Sequence, residues 1–214
     1  MTRPATPGAW PAALAAGSPT IHLLGDSLFE GGAVDPPLRW HQMLGDSFRS
    51  DGAPGTQVWI GGAIPGSATA DYLPGARYAG HVEFTVHHPS LILLGWGIND
   101  WAAGIPPALF ASQYQQIIDR IRALSEGSTL AFIHTPWVYN PDLTATRGPQ
   151  APYRDAIQAL AAANGAGYLG LEWYFPGDDR YQQATPDRVH LNAAGQNTMY
   201  TAVRAFLLGM CGAA

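Results

Sequence analysis

The stretch that decides the fold is Thr20–Leu28, which reads TIHLLGDSL. It opens with a short apolar run that ends at Gly25, a pattern typical of a buried β-strand. Asp26 and Ser27 follow where the chain leaves the strand. A serine on a tight turn from strand to helix exposes its hydroxyl, and its backbone N–H lies where a helix N-terminus stabilises developing negative charge. The same two residues also suit an ordinary helix N-cap, so a catalytic and a structural interpretation both stand at this point.

Similar apolar runs recur along the chain and alternate with helical patterns. Because the predicted strands are short, apolar on both faces and separated by helices, they indicate a parallel sheet with helices on both sides. Ligands bind beyond the carboxyl ends of strands in such sheets, so the chemistry is expected just after each strand. The predicted strands are 20–24, 57–60, 91–94, 129–133 and 167–171; the predicted helices are 38–48, one beginning at Pro106, 153–163 and 192–208, with an irregular segment over 135–150.

The composition suits one compact domain. Of the 214 residues, 47% are hydrophobic and 13% are charged, enough to bury a core. We expect a single domain over 1–214, with an irregular N-terminal segment over 1–18. The net charge of −5, without a basic cluster, argues against nucleic acid as a partner. No apolar run approaches the roughly twenty residues of a membrane span; because the N-terminal export signal is weak, we expect a cytoplasmic protein and leave export open.

Two further loops carry groups that can stabilise an oxyanion. Gly66, after the second predicted strand, can bring a bare backbone N–H against a substrate oxygen. Asn99, after the third, carries a side-chain amide that donates a hydrogen bond without carrying charge. Taken singly, each fits an ordinary turn glycine or loop asparagine equally well.

A carboxylate and a histidine lie close together near the C-terminus. Asp187 comes three residues before His190. At this spacing the carboxylate can fold back to accept Nδ1–H, which leaves Nε2 free to take a proton from a serine. A surface ion pair or an aspartate capping a turn would show the same spacing.

Together these features resemble the GDSL or SGNH family of hydrolases. The matching motifs are Gly-Asp-Ser-Leu at 25–28, the Gly66 loop, Gly-x-Asn-Asp at 97–100 and Asp-x-x-His at 187–190, and the resemblance extends from Leu23 to Gly195. It implies a three-layer α/β/α fold, the SGNH hydrolase fold, with a five-stranded parallel sheet in flavodoxin-like order. It also implies that neither a metal nor an organic cofactor takes part.

The resemblance assigns a role to each motif. It implies Ser27 as nucleophile, His190 as its base and Asp187 as the residue that orients the histidine. It implies an oxyanion hole made of the Ser27 and Gly66 backbone N–H groups and the Asn99 side chain. The expected reaction is the cleavage of carboxylic esters through an acyl-enzyme.

The substrate is less sharply indicated. Aromatic side chains at the catalytic edge can stack on sugar rings, line an acyl channel or simply pack the loops. We favour a short-chain acyl ester, such as an acetyl ester of a carbohydrate or small metabolite. The alternatives are a thioesterase, lysophospholipase or acyltransferase with the same site, and a catalytically silent binding module; the oligomeric state is not indicated. The expected pocket residues are Asp26, Trp96, Trp101, His134 and Trp137.

Overall fold

A computed structural model of the chain describes residues 9–175, 180–183 and 187–212. Within these residues, five strands form one parallel sheet in the order β2-β1-β3-β4-β5. This is the flavodoxin-like order that the family resemblance implies, and the expected α/β fold is confirmed. The strands are β1 (Thr20–Gly25), β2 (Gln57–Ala63), β3 (Leu91–Gly95), β4 (Thr129–His134) and β5 (Gly167–Gly170).

Helices form the layers on either side of the sheet. Helix α3 (Trp40–Ser50) lies in the connection from β1 to β2. Helices α6 (Pro107–Leu124) and α8 (Ala151–Ala163) lie in the connections from β3 to β4 and from β4 to β5, which run in the opposite direction along the sheet. Because parallel crossovers are right-handed, the two groups cover opposite faces. Helix α9 packs against α3, and α8 packs against α6. The α-helices of the described residues are α1 (Ala9–Ala15), α2 (Ser27–Glu30), α3 (Trp40–Ser50), α4 (Ala79–Glu83), α5 (Ile98–Ala103), α6 (Pro107–Leu124), α7 (Pro141–Arg147), α8 (Ala151–Ala163) and α9 (Ala193–Gly212).

The hydrophobic core lies between the sheet and these helices. Every residue of β3 and β4 is buried, and β1 is buried from Ile21 onward. The edge strand β2 instead has exposed residues over most of its length. Strands buried on both faces read as continuous apolar runs, which is why the central strands stand out in the sequence. In the ranges that the structure describes, no helix has both the length and the apolarity to cross a membrane.

The N-terminal segment differs from the irregular structure expected over 1–18. Residues 1–8 lie outside the described residues, but α1 follows them as a regular helix. Its anchor is Trp10, which is fully buried and donates from Nε1 to the Leu207 carbonyl oxygen at 3.1 Å. Pro11 does not prevent the helix because the first turn of a helix needs no N–H from it.

The segment 135–150 also contains a helix where an irregular chain was expected. Asn140 caps α7 by accepting the backbone N–H groups of Asp142 and Leu143, both at 3.1 Å. Pro141 stands in the first turn, where its missing N–H costs nothing. An Asn-Pro pair is therefore the sequence signal that predicts this helix start.

Candidate active site

The carboxyl ends of β1 and β3 lie side by side where the strand order changes direction. Gly25 and Gly95 are paired at the last position of the two strands. Since the chain leaves these strands toward opposite sides, a crevice forms between the loops that follow them. Ser27 comes two residues after β1 and Asn99 four residues after β3. The topology thus brings two of the sequence-predicted residues to one crevice.

The turn that carries Ser27 is held in place by its neighbours Asp26 and Phe29. Asp26 caps α2, because its Oδ1 accepts the Leu28 backbone N–H at 2.9 Å, and Ser27 is therefore the first residue of the helix. The first N–H groups of a helix have no partner within it, so that of Ser27 can serve a ligand. Phe29 is fully buried beneath the strand ends, where a side chain on Gly95 would overlap its ring.

His190 lies between Ser27 and Asp187. Its Nε2 is 2.8 Å from Ser27 Oγ, and its Nδ1 is 2.9 Å from Asp187 Oδ2. The other carboxylate oxygen, Oδ1, accepts the backbone N–H groups of Val189 and His190 at 2.8 Å and 3.0 Å. Arg188, which directly follows Asp187, adopts a left-handed conformation with φ of 46°, which is uncommon outside glycine. The chain thereby folds back so that the carboxylate reaches the imidazole.

The electrostatics favour an ionised carboxylate behind the imidazole. Burial acts to raise the pKa of Asp187, but the backbone N–H and imidazole of His190, with the backbone N–H of Val189, hold this pKa below its ordinary value. A carboxylate oxygen can only accept, so Nδ1 carries the proton and Nε2 presents its lone pair to Ser27. The arrangement can therefore take a proton from the serine hydroxyl. Across the described ranges, no group of three or more His, Cys, Asp or Glu side chains could hold a metal ion.

Gly66 and Asn99 belong to two loops that are joined to each other. Gly66 has a φ of 76°, in the left-handed region that favours glycine. The Asn99 side chain donates from Nδ2 to the Ser67 carbonyl oxygen at 2.9 Å. Because the amide carries two hydrogens, the second remains available to a ligand.

Two residues that the sequence reasoning missed hold the Gly66 loop in place. Asp100 is fully buried and accepts both the backbone N–H and the hydroxyl of Thr69, at 3.2 Å and 2.6 Å. Gln113 on α6 contacts the same hydroxyl at 2.9 Å. Burial raises the pKa of Asp100, while the hydrogen bonds from Thr69 act against that change. The sequence feature that could have indicated Asp100 is its position directly after Asn99.

The Asp26 carboxylate lies beneath the turn, not in a pocket as expected from the sequence. It is 1% exposed, because its position as the cap of α2 turns it into the core. Burial raises its pKa to about 7; the Leu28 N–H acts against this, and nearby Asp100 raises the pKa further. Its Oδ2 is enclosed and has no hydrogen-bond partner among the described residues.

Three of the other expected pocket residues line one small cavity at the carboxyl edge of the sheet. They are Trp96, Trp101 and His134. The cavity also touches Gly97 and Ile98, the residues that lead to the candidate oxyanion donor. The remaining expected residue, Trp137, is not part of this lining; its ring packs against that of His134, with centroids 5.1 Å apart. Contact of these side chains with a substrate remains a prediction.

Comparisons with known proteins point to one family. The model of the GDSL-like lipase/acylhydrolase family matches residues 23–197. An arylesterase from Vibrio mimicus is 29% identical over 119 residues, which make up 56% of this chain and 56% of that protein. The chain thus matches only about half the length of this curated relative.

Solved structures with the same fold include further esterases. A lipase/acylhydrolase from Enterococcus faecalis superposes with a TM-score of 0.70 at 20% identity, covering 89% of this chain and 96% of that one. A carbohydrate acetylesterase family member from Sinorhizobium meliloti superposes with a TM-score of 0.67 at 21% identity, covering 91% and 99%. At these identities the likeness shows the fold.

Proposed function

The chain belongs to the GDSL-like lipase/acylhydrolase family, and on that premise we propose that it is a serine esterase of short-chain acyl esters. The proposed substrate is an acetyl or similar ester of a carbohydrate or small metabolite. One observation carries the proposal: the imidazole of His190 lies within hydrogen-bond distance of both the Ser27 hydroxyl and the Asp187 carboxylate, at 2.8 Å and 2.9 Å. This is the geometry that a serine nucleophile and its base require.

In the proposed reaction, His190 Nε2 takes the hydroxyl proton of Ser27 while Oγ attacks the ester carbonyl carbon. The tetrahedral oxyanion accepts hydrogen bonds from the backbone N–H groups of Ser27 and Gly66 and from Nδ2 of Asn99. The imidazolium, stabilised by Asp187, returns the proton to the departing alcohol oxygen and leaves an acyl-serine. Water that loses a proton to the same Nε2 then releases the acid and restores the hydroxyl.

Two features support a small substrate. One relative is named an arylesterase, and one structure of the same fold is named a carbohydrate acetylesterase family member, which refers to a short acyl group. Trp96 and Trp101, at 0% and 1% exposure, line a small cavity at the same edge of the sheet, which only a small group of a substrate can enter. In addition, Trp173, which follows β5, is 80% exposed, and an exposed aromatic ring can stack on a sugar.

The test compares the parent protein with Ser27→Ala on p-nitrophenyl acetate, butyrate and octanoate. We expect the parent to hydrolyse the acetate fastest and Ser27→Ala to lose all but a trace of this activity. Ser112→Ala is the matched control, because Ser112 is an exposed serine on α6. A fluorophosphonate probe should label the parent and the control but not Ser27→Ala.

Three other outcomes would each contradict one element of the proposal: the nucleophile, the preference for short chains or the catalytic activity itself. Full activity in Ser27→Ala would exclude this serine as the nucleophile. Equal rates on acetate and octanoate would contradict the short-chain preference and favour a lysophospholipase or thioesterase. A parent that neither hydrolyses these esters nor reacts with the probe would favour a silent binding module.

A further inference from the structure

A second imidazole–carboxylate pair lies at the same edge of the sheet. His134 ends β4 and Glu172 follows β5, and their Nδ1 and Oε2 atoms are 3.0 Å apart. Both side chains are buried, with 4% and 3% exposure. The end of β5 leaves room for the carboxylate, because a Cβ on Gly170 would lie 2.7 Å from Glu172 Oε2.

Glu172 determines which nitrogen of His134 is free. A carboxylate oxygen only accepts hydrogen bonds, so Nδ1 carries the proton and Nε2 of the neutral ring is an acceptor. Among the described residues, Nε2 has no hydrogen-bond partner. His134 also lines the cavity, together with Trp101. Nε2 is not enclosed, so a ligand in the cavity can supply its hydrogen-bond donor.

Two other polar side chains in the cavity lining already have hydrogen-bond partners within the protein. Gln150 is engaged with Val138 through two hydrogen bonds of 3.0 Å, and Trp101 Nε1 donates to the Gly148 carbonyl oxygen. Thr135, directly after His134, also lines the cavity, and its hydroxyl has no partner among the described residues. Trp96 Nε1 is enclosed and has no partner among the described residues, and the Tyr153 hydroxyl donates to the Ile105 carbonyl oxygen. The accessible polar side-chain groups of the lining are therefore one imidazole acceptor and one hydroxyl, and the lining has no charged side chain. This combination is complementary to a hydroxyl group.

We propose that His134 is a specificity-determining residue, whose Nε2 accepts a hydrogen bond from a hydroxyl group of the substrate. Glu172 is the positioning residue that keeps the ring in this tautomer and orientation. The substrate class is then a hydroxylated ester, such as an acylated sugar or polyol, in preference to a simple alkyl ester. This inference rests on the proposed ester hydrolysis, since it concerns the substrate of that same site.

The test uses two acetates with the same carbon skeleton, 1-acetylglycerol and propyl acetate, with acid release followed in a pH-stat. The measured quantity is the ratio of their kcat/KM values. Glycerol is a somewhat better leaving group than propanol, so the ratio for the parent also contains this chemical difference. The decrease in the ratio when His134 is replaced therefore measures the hydrogen bond. We expect His134→Leu to lower the ratio about tenfold, the effect of one hydrogen bond of roughly 1.4 kcal/mol, mainly by raising KM for 1-acetylglycerol.

Additional variants separate a specific contact from general damage. His134→Asn keeps a donor for Glu172 but lacks Nε2, so it should lower the ratio even if the leucine variant folds poorly. Glu172→Gln retains an acceptor for Nδ1–H and should keep most of the ratio, whereas Glu172→Leu should lose it. His87→Leu is the matched control, because this exposed histidine precedes β3 at the opposite end of the sheet. A purely structural role would affect both acetates alike.

Failure of this inference can be distinguished from failure of the proposed function. If the parent hydrolyses both acetates without preference, or if folded His134→Asn keeps the parent ratio, the role of His134 is refuted while the esterase proposal stands. If the parent hydrolyses neither acetate, both are refuted. If Ser27→Ala remains active, the proposed mechanism fails whatever the ratio shows.

Discussion

The Asn99 side chain donates a hydrogen bond of 2.9 Å to the Ser67 carbonyl oxygen, and so joins the start of α5 to the loop that carries Gly66. The next residue, Asp100, holds the same loop through the backbone N–H and hydroxyl of Thr69. Two consecutive residues thus fix the relative position of two of the three segments that carry candidate oxyanion donors. Preorganised donors of this kind stabilise a transition state without having to rearrange during the reaction.

Replacing Asn99 should therefore lower turnover more than substrate binding. We expect Asn99→Ala to reduce kcat by about a hundred- to a thousand-fold with little change in KM, since the oxyanion forms only in the transition state. Steady-state kinetics on p-nitrophenyl acetate would measure both constants. Asn197→Ala, at an exposed site on α9, is the control. A rise in KM at unchanged kcat would mean that Asn99 binds the ground state instead.

Replacing Asp187 should leave its loop intact but reverse the tautomer of His190. In Asp187→Asn, the amide oxygen can still accept the backbone N–H groups of Val189 and His190, whereas the NH₂ group now faces Nδ1. Nδ1 must then accept, Nε2 carries the proton, and the ring can no longer deprotonate Ser27. We expect kcat to fall about ten-thousand-fold, as when a serine hydrolase loses the correct tautomer.

The control for this experiment is Asp119→Asn, an exposed aspartate on α6. Circular dichroism would show whether each variant is folded. Turnover within a few-fold of the parent in a folded Asp187→Asn protein would remove Asp187 from the proposed mechanism.

Much of the fold could be predicted from the sequence because its decisive parts are local. Runs such as Leu91–Leu94 are apolar throughout, since β3 is covered on both faces, and their alternation with helical patterns indicates a parallel sheet. The candidate site residues could also be predicted, because each follows a strand or lies in a short motif, as Asp187 and His190 do. Parallel strands then bring these separate positions to one edge.

The features that the sequence reasoning missed depend on distant partners. Helix α1 forms around Trp10, whose hydrogen-bond acceptor on Leu207 is 197 residues away. The partner of His134 is Glu172, 38 residues further on, in a stretch that carries no recognisable motif. Asp26 is an expected pocket residue, but the cap geometry of α2 turns its side chain inward. Local patterns do not report such contacts.

The burial of Asp26 predicts a pH-dependent stability. Its pKa is raised from 3.8 to about 7, so between these values the folded state binds a proton that the unfolded state has released. The free energy of unfolding should therefore fall as pH rises through this range, by an amount on the order of 4 kcal/mol at 1.36 kcal/mol per pKa unit. Asp26→Asn should remove this contribution, because asparagine still caps α2 through its Oδ1 but cannot ionise.

Urea denaturation at several pH values, from about pH 4 to about pH 8, would measure this effect. The stability of Asp26→Asn relative to the parent should rise with pH, while part of the parent slope persists because the pKa of Asp100 is raised as well. Asp119→Asn, at an exposed site, should keep the full parent slope. A slope in Asp26→Asn equal to that of the parent would show that Asp26 is not protonated in the folded protein.

Because Phe29 packs beneath the strand ends, Phe29→Leu should restore the stability of Gly95→Ala more than that of Gly25→Ala. The three atoms nearest to a Cβ on Gly95 all belong to the Phe29 ring, so Gly95→Ala should cost at least about 1–3 kcal/mol and Phe29→Leu should recover part of that loss. A Cβ on Gly25 would also lie 2.6 Å from the Gly95 carbonyl oxygen, which no change at Phe29 removes. Urea denaturation of the single and double variants should therefore give a favourable coupling energy of about 0.5–3 kcal/mol for Gly95→Ala with Phe29→Leu, and a smaller one for Gly25→Ala. Equal coupling in both pairs would mean that the strand ends move apart instead of pressing on the ring.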